Sequence, residues 1–175
     1  HRALQNCSQI FRYAVATGRV DRDITVDLKG ALPPVKERHF SAITEPEKVG
    51  DLLRAIDEFK GTYIVQCALK LAPLVFVRPG ELRTARWIDI DFQAREWRYH
   101  ISKTSSDHIV PLSNQALAIL KDLYALTGRG EYVFPSSRGH SRPMSDNAIL
   151  SALRRMEIPK EEMSGHGFRA MARTI

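Results

Sequence analysis

Residues 88–112 read IDIDFQAREWRYHISKTSSDHIVPL, and here the apolar pattern changes from the helical period to a period of two. Ile88, Ile90 and Phe92 alternate with polar residues, and a second alternating run follows at Trp97, Tyr99 and Ile101. A third short apolar run covers residues 108–112. Three short alternating runs separated by polar residues predict a three-stranded antiparallel meander.

Helical patterns lie on both sides of this meander. Upstream, residues 44–47 form a capping box with a proline in the first turn, residues 63–77 form an apolar stretch typical of a buried helix, and residues 79–85 suit a short helix that begins at a proline. Downstream, Ser113 is the expected N-cap of a helix that ends at Gly128, and residues 132–134 suit a short extended piece. Ser145 is the expected N-cap of the next helix, and a last helix begins near Gly165. The predicted fold is α+β and mainly helical, with helices around a small three-stranded antiparallel sheet.

The first forty residues differ from the rest. Apolar residues at helical spacing precede Gly18, a typical helix stop, and residues 19–40 lack periodicity and contain Gly30, Pro33 and Pro34. One helix and a linker cannot enclose a core, so we expect residues 1–40 to be the last helix of an upstream domain plus a linker. Residues 41–175 are the expected main domain.

Composition excludes several classes of protein. The 175 residues carry 26 Lys and Arg against 20 Asp and Glu, a net charge of +6, and both ends of the chain hold the surplus. Such clusters suit either a polyanionic partner or an ordinary solubilising surface. Cys7 and Cys67 show no CxxC pairing, which argues against a disulfide scaffold or a cysteine zinc site and favours a reducing, cytosolic location. The longest uncharged apolar run, residues 71–77, is too short for a membrane span.

Two local motifs remain once phosphate-loop, GxSxG and HExxH signatures are found to be absent from the sequence. In the first, Arg78 follows an apolar run and precedes the helix that begins at Pro79, so it can bind an anion, cap the buried helix or pair with Glu81. In the second, His166 and Arg169 share one helical face and can offer an imidazole beside a bidentate phosphate ligand. Taken alone, His166 also suits a surface or capping position.

Together, these motifs resemble the tyrosine recombinase family, and specifically the catalytic domain of a phage or prophage integrase. Arg78, with Glu81 three residues later and then Leu82, matches the first family box, and His166-Gly-Phe-Arg169 matches the second. The resemblance implies that Lys103, in the hairpin between two strands, is the catalytic lysine. It also implies DNA integration and recombination, in which a tyrosine attacks a DNA phosphate and forms a 3′-phosphotyrosyl link.

The resemblance assigns further roles and partners. Arg78 and Arg169 are the expected phosphate ligands, Lys103 the general acid, and His166 a base or a hydrogen-bond donor. Double-stranded DNA at attachment sites is the implied partner, the complete protein is expected to be a homotetramer on paired sites, and no metal or cofactor is implied. The implied location is the bacterial cytoplasm, with the nucleoid. Six further arginines are candidates for contacts with the DNA backbone: Arg83, Arg86, Arg138, Arg142, Arg154 and Arg155.

The family's nucleophilic tyrosine follows the second box, and this sequence has no tyrosine after His166. We therefore expect this chain to be inactive in strand cleavage by itself, and to be monomeric. Two alternatives stay open: a noncatalytic DNA-binding module that retains the phosphate ligands, and an unrelated enzyme acting on a small phosphorylated molecule.

Overall fold

The computed structural model describes residues 1–34, 40–101 and 106–174. Contacts between residues divide the chain into two units, His1–His39 and Phe40–Ile175. In the first unit, helix α1 (Arg2–Ala16) has no buried residue. A 3-10 turn, Ile24–Leu28, occupies part of the stretch predicted to be a linker, and Asp23 caps it by accepting a hydrogen bond from the Thr25 N–H.

The second unit contains the predicted helices and sheet. Its helices are α2 (Pro46–Glu58), α3 (Tyr63–Val75), α4 (Pro79–Arg83), α5 (Asn114–Thr127), α6 (Ala148–Arg155) and α7 (Gly167–Thr174). Its strands are β1 (Ile90–Asp91), β2 (Glu96–Ile101), β3 (Ser106–Pro111), β4 (Pro135–Ser136) and β5 (Gly139–Pro143). The predicted fold class is confirmed.

Helix α3 lies at the centre of the core, in contact with α2, α4, α5, α6 and α7. Ala68 and Leu69 on this helix are completely buried, as the apolar stretch predicts. The helix ends two residues earlier than predicted because Phe76 adopts a left-handed conformation, with φ of 51°. Two residues after this turn, Arg78 occupies the N-cap position of α4.

The three-stranded sheet has the order β1-β2-β3, and all its strands are antiparallel. Trp97 on β2 is 1% exposed and anchors the sheet to the core. The first predicted strand is shortened to two residues, because Trp87–Asp89 form a 3-10 turn and leave Ile88 83% exposed. Among the helices of the described residues, none has the length and apolar character that crossing a membrane requires.

Several local predictions need correction. The capping box at residues 44–47 is wrong: Glu45 is the N-cap of α2, and no side chain caps that end. Ser145 is likewise not the N-cap of α6, a position that Asn147 occupies. By contrast, Ser113 does cap α5, accepting a hydrogen bond from the Ala116 N–H at 3.2 Å. The β4–β5 hairpin was missed, because each of its strands includes a proline, a residue that disfavours regular pairing.

Candidate active site

Arg78 occupies the N-cap position of α4, where its conformation is fixed by Glu81 one turn later. The Glu81 carboxylate accepts a hydrogen bond from the Arg78 backbone N–H at 2.8 Å and another from guanidinium Nη1 at 2.6 Å. The Glu81 side chain is 15% exposed, whereas that of Arg78 is 44% exposed. A partly buried carboxylate therefore holds Nη1 of the guanidinium, on an arginine side chain that is itself well exposed.

Tyr99 on β2 is a third member of this cluster. Its hydroxyl donates a hydrogen bond to Oε2 of Glu81 at 2.9 Å. Burial alone would raise the pKa of Glu81, but the hydrogen bonds from Arg78 and Tyr99 outweigh it and hold that pKa below its ordinary value. Burial, and then the bond to Glu81, raise the pKa of Tyr99 far above its ordinary value. At neutral pH the cluster consists of an arginine cation, a carboxylate and a neutral phenol.

Arg169 reaches the same region from α7. Its Nη1 donates a hydrogen bond to the Phe76 carbonyl oxygen at 2.8 Å, two residues before Arg78. The left-handed turn at Phe76 thus exposes a carbonyl that binds the second arginine. This anchor uses one guanidinium N–H, and the partly buried side chain retains further N–H donors.

His166 lies at the start of the turn that leads into α7. Burial lowers the pKa of its imidazole, and the positive charges of Arg169 and Arg78 lower it further. The imidazole is therefore neutral near pH 7, so that one ring nitrogen can accept a proton. Arg78 and His166 line the same groove, and Arg169 is bonded to the backbone two residues before Arg78, so the structure brings together three of the four predicted catalytic side chains.

Arg78 and His166 line an open groove of about 940 Å³, whereas Arg169 is not among its lining residues. Its other lining residues include Glu81 and residues of strands β2 and β3. Lys103, the fourth predicted residue, lies outside the described residues. Among the part of the chain that is described, no cluster of three or more His, Cys, Asp or Glu side chains could hold a metal ion.

The six arginines predicted to contact DNA fall into two groups. Four of them bind other groups of the protein. Arg83 pairs with Asp146 and Arg86 with Asp89, whereas Arg154 donates to the Met163 carbonyl and Arg155 to the Lys60 carbonyl. Arg138 and Arg142 are exposed on the β4–β5 hairpin. Of the six, Arg138 and Arg142 are the two whose guanidinium groups make no hydrogen bond or ion pair with the described residues.

Sequence reasoning missed two side chains at the site, Tyr99 and Phe40. Tyr99 is part of a predicted strand and shares a strand face with the buried Trp97, but no motif of the sequence marks it as a member of the site. Phe40 stacks on the imidazole of His166, with ring centroids 4.2 Å apart and planes inclined by 11°. A residue so distant in sequence gives no periodic signal of such a contact.

Comparison with known proteins gives consistent matches. The profile described as "Phage integrase family" matches residues 43–175, and that described as "Phage integrase central domain" matches residues 1–31. The putative protein IntB of Escherichia coli (strain K12) is 37% identical over 186 residues, covering 98% of this chain and 47% of the relative. The integrase of Enterobacteria phage P4 is 37% identical over 187 residues, covering 98% of this chain and 42% of the relative. The chain thus spans less than half the length of these curated relatives.

Solved structures share the fold. A lambda integrase dimer bound to a COC' core site superposes with a TM-score of 0.67 at 20% identity, covering 97% of this chain and 49% of that one. A lambda integrase tetramer bound to a Holliday junction gives a TM-score of 0.65 at 22% identity, covering 97% and 51%. The Tn1549 transposon integrase in complex with a circular intermediate DNA gives 0.70 at 13% identity, covering 97% and 63%.

Proposed function

This chain belongs to the phage integrase family of tyrosine recombinases, and we propose that it supplies the phosphate-binding part of the active site of a site-specific DNA recombinase. The observation that carries the proposal is that Arg78 and His166, from two segments far apart in sequence, line one open groove, while Arg169, three residues after His166, is bonded to the Phe76 carbonyl two residues before Arg78. Residues 1–40 are then the end of a core-binding domain plus a linker, and residues 41–175 belong to the catalytic domain. The two family matches and the two contact-defined units support this division.

The proposed reaction exchanges one phosphodiester for another. A tyrosine oxygen attacks the scissile phosphorus, a 3′-phosphotyrosyl bond forms, and the bond to the 5′-oxygen breaks. A DNA hydroxyl then attacks the phosphotyrosyl phosphorus, releases the tyrosine and rejoins a strand. Because each step makes one phosphate ester bond as it breaks another, the 3′-phosphotyrosyl bond conserves the bond free energy of the DNA phosphodiester.

Arg78 and Arg169 suit the stabilisation of charge on the nonbridging phosphate oxygens. Planar guanidinium forks match two oxygens at once, and fixed donors stabilise a transition state without reorganising. A hydrogen bond within the protein holds each guanidinium in place: Arg78 donates to Glu81 and Arg169 donates to the Phe76 carbonyl. Such anchoring keeps the donors oriented before DNA binds.

His166 and Lys103 complete the proposed proton transfers. A neutral His166 can accept the proton of the attacking tyrosine, whereas Lys103 protonates the departing 5′-oxygen. In the sequence, Lys103 lies between Ile101 of β2 and Asp107 of β3, both of which line the groove. That position supports its assignment to the same site.

The tyrosines of the chain do not suit the role of nucleophile. Tyr99 lies nearest to the site, but its hydroxyl donates to Glu81 and its raised pKa disfavours the phenolate. We therefore propose that the nucleophile belongs to a segment following Arg169, and that residues 1–175 alone do not cleave DNA. By analogy with the lambda integrase tetramer, the complete protein acts as a tetramer on paired DNA sites, while this chain alone is monomeric.

An oxyanion tests the geometry directly. Crystals of this chain soaked in tungstate should show one anion bound by Arg78, Arg169 and His166 at hydrogen-bonding distances of about 3 Å. Arg169→Gln should remove the anion, whereas Arg173→Gln, one turn away on the same helix with an exposed side chain, should retain it. An anion bound elsewhere, with this site empty, would contradict the proposal.

A cleavage assay tests the chemistry in a protein that carries residues 1–175 together with a downstream tyrosine. A nicked attachment-site duplex should form a covalent protein–DNA complex with the wild type and with Arg173→Gln, but not with Arg169→Gln. Lys103→Ala should be inactive on ordinary DNA and active on DNA with a 5′-bridging sulfur, since a thiolate departs without a proton. No rescue by sulfur would remove Lys103 from the role of general acid.

A further inference from the structure

Phe40, the first residue of the second unit, is 67% exposed, so burial in the core does not explain its position. Its ring lies almost parallel to the imidazole of His166, at a centroid separation of 4.2 Å and an angle of 11°. Within the described residues this is the one aromatic contact of His166. The contact therefore connects Phe40 with a residue far away in the sequence, His166, whose imidazole is proposed to accept a proton.

The residues after Phe40 are fixed to the same turn by two further interactions. The Ser41 carbonyl oxygen accepts hydrogen bonds from the backbone N–H and the hydroxyl of Ser164, each at 3.0 Å. Gly167 has no space for a side chain, because a Cβ atom there would lie 2.6 Å from that same Ser41 oxygen. Residues 40–42 therefore pack tightly along the turn that carries His166.

We propose that Phe40 is a positioning residue that fixes the ring orientation of His166 for proton transfer. This role rests on the recombinase function proposed above. Stacking restrains rotation of the imidazole about its side-chain bonds, which the exposed start of α7 would otherwise allow. The backbone bonds of Ser41 to Ser164 supply the rigid support for the stack.

The stack also contributes to keeping the imidazole neutral. One face of the ring is shielded from water by Phe40, and burial is the main cause that lowers the pKa of His166. The charged groups that act on this imidazole are Arg169 and Arg78, and neither is altered by a change at Phe40. Loss of the aromatic ring should consequently raise the pKa of His166 while leaving the two arginine charges in place.

Nuclear magnetic resonance of this chain tests the stack without any requirement for catalysis. In wild type, the His166 ring protons, assigned with a His166→Gln variant, should be shifted upfield by the Phe40 ring current. Phe40→Leu should abolish that shift and raise the His166 pKa, whereas Phe40→Tyr should preserve both values. Leu126→Ala, which removes a side chain of similar exposure at 66%, should change neither. Unchanged His166 signals in Phe40→Leu would overturn the inference.

Cleavage by the protein with a downstream tyrosine tests the consequence. Phe40→Leu should lower the rate constant of covalent-complex formation by about ten- to a hundredfold, the range for a misplaced catalytic group, and Phe40→Tyr should restore it. It should also move the acidic limb of the pH–rate profile to higher pH. A rate and profile unchanged by Phe40→Leu would refute the positioning role. Absence of cleavage in wild type, with the spectral stack intact, would instead refute the recombinase function.

Discussion

The hydrogen bond from Tyr99 to Glu81 provides a test of how Arg78 is held in place. Tyr99→Phe removes a single hydroxyl, which donates to Oε2 of Glu81 over 2.9 Å, and retains the ring that packs against Trp97. Glu81 keeps both of its bonds to Arg78. We expect the free energy of unfolding at pH 7 to fall by about 1–2 kcal/mol, the usual cost of one hydrogen bond to a partly buried charged acceptor.

This loss should depend on pH in a direction that two pKa shifts determine. Glu81 has a pKa below its ordinary 4.5, so its bonds stabilise the fold above that pH and are lost as the pH falls through the lowered value. Tyr99 has a pKa raised above its ordinary 10.0, so its contribution is complete below that pH and is lost as the pH rises further. The stability difference between wild type and Tyr99→Phe is therefore greatest near neutrality and decreases on both sides.

Urea unfolding followed by tryptophan fluorescence, at about pH 4, 7 and 10.5, measures this difference. Tyr124→Phe is the matched control, because the Tyr124 side chain is 50% exposed and its hydroxyl makes no hydrogen bond with the described residues. It should change stability by less than about 0.5 kcal/mol at each pH. If Tyr99→Phe cost the same free energy at all three pH values, the loss would come from packing, and the proposed support of Arg78 would be refuted.

Two further substitutions probe the turn and helix of the second motif. Arg169→Lys leaves a single ammonium, which cannot bind the Phe76 carbonyl and also a phosphate in fork geometry. The rate of covalent-complex formation by the protein with a downstream tyrosine should therefore fall by about 10²–10³-fold. An undiminished rate would exclude Arg169 as a phosphate ligand. Gly167→Ala should lower the free energy of unfolding by about 1–3 kcal/mol in urea, because its Cβ would lie 2.6 Å from the Ser41 oxygen. Gly80→Ala is the control, since nothing lies within 4 Å of its added Cβ, and equal losses for both glycines would contradict the close packing of Ser41.

The sequence predicts the sheet and most helices because their signals are local. Trp97 and Tyr99 alternate on one strand, and the apolar stretch before Arg78 contains enough buried side chains to identify a core helix. Errors concentrate at the ends of elements, where one backbone angle decides the outcome. The left-handed Phe76 shortens α3, and nothing in its residue type predicts that conformation.

The site is less predictable because its geometry depends on contacts across the whole second unit. Motif spacing identifies Arg78 and Arg169 as candidates, but it does not indicate that a carboxylate holds one and a backbone carbonyl the other. The same limit applies to Phe40, whose aromatic ring stacks on His166 although the two residues lie at opposite ends of the sequence of the second unit. A long-range contact leaves no periodicity in the sequence, since the two segments have no fixed spacing along the chain. For the same reason, a substitution outside the motifs can alter the orientation of a residue within them, and the measurement on Phe40→Leu distinguishes this effect from simple loss of stability.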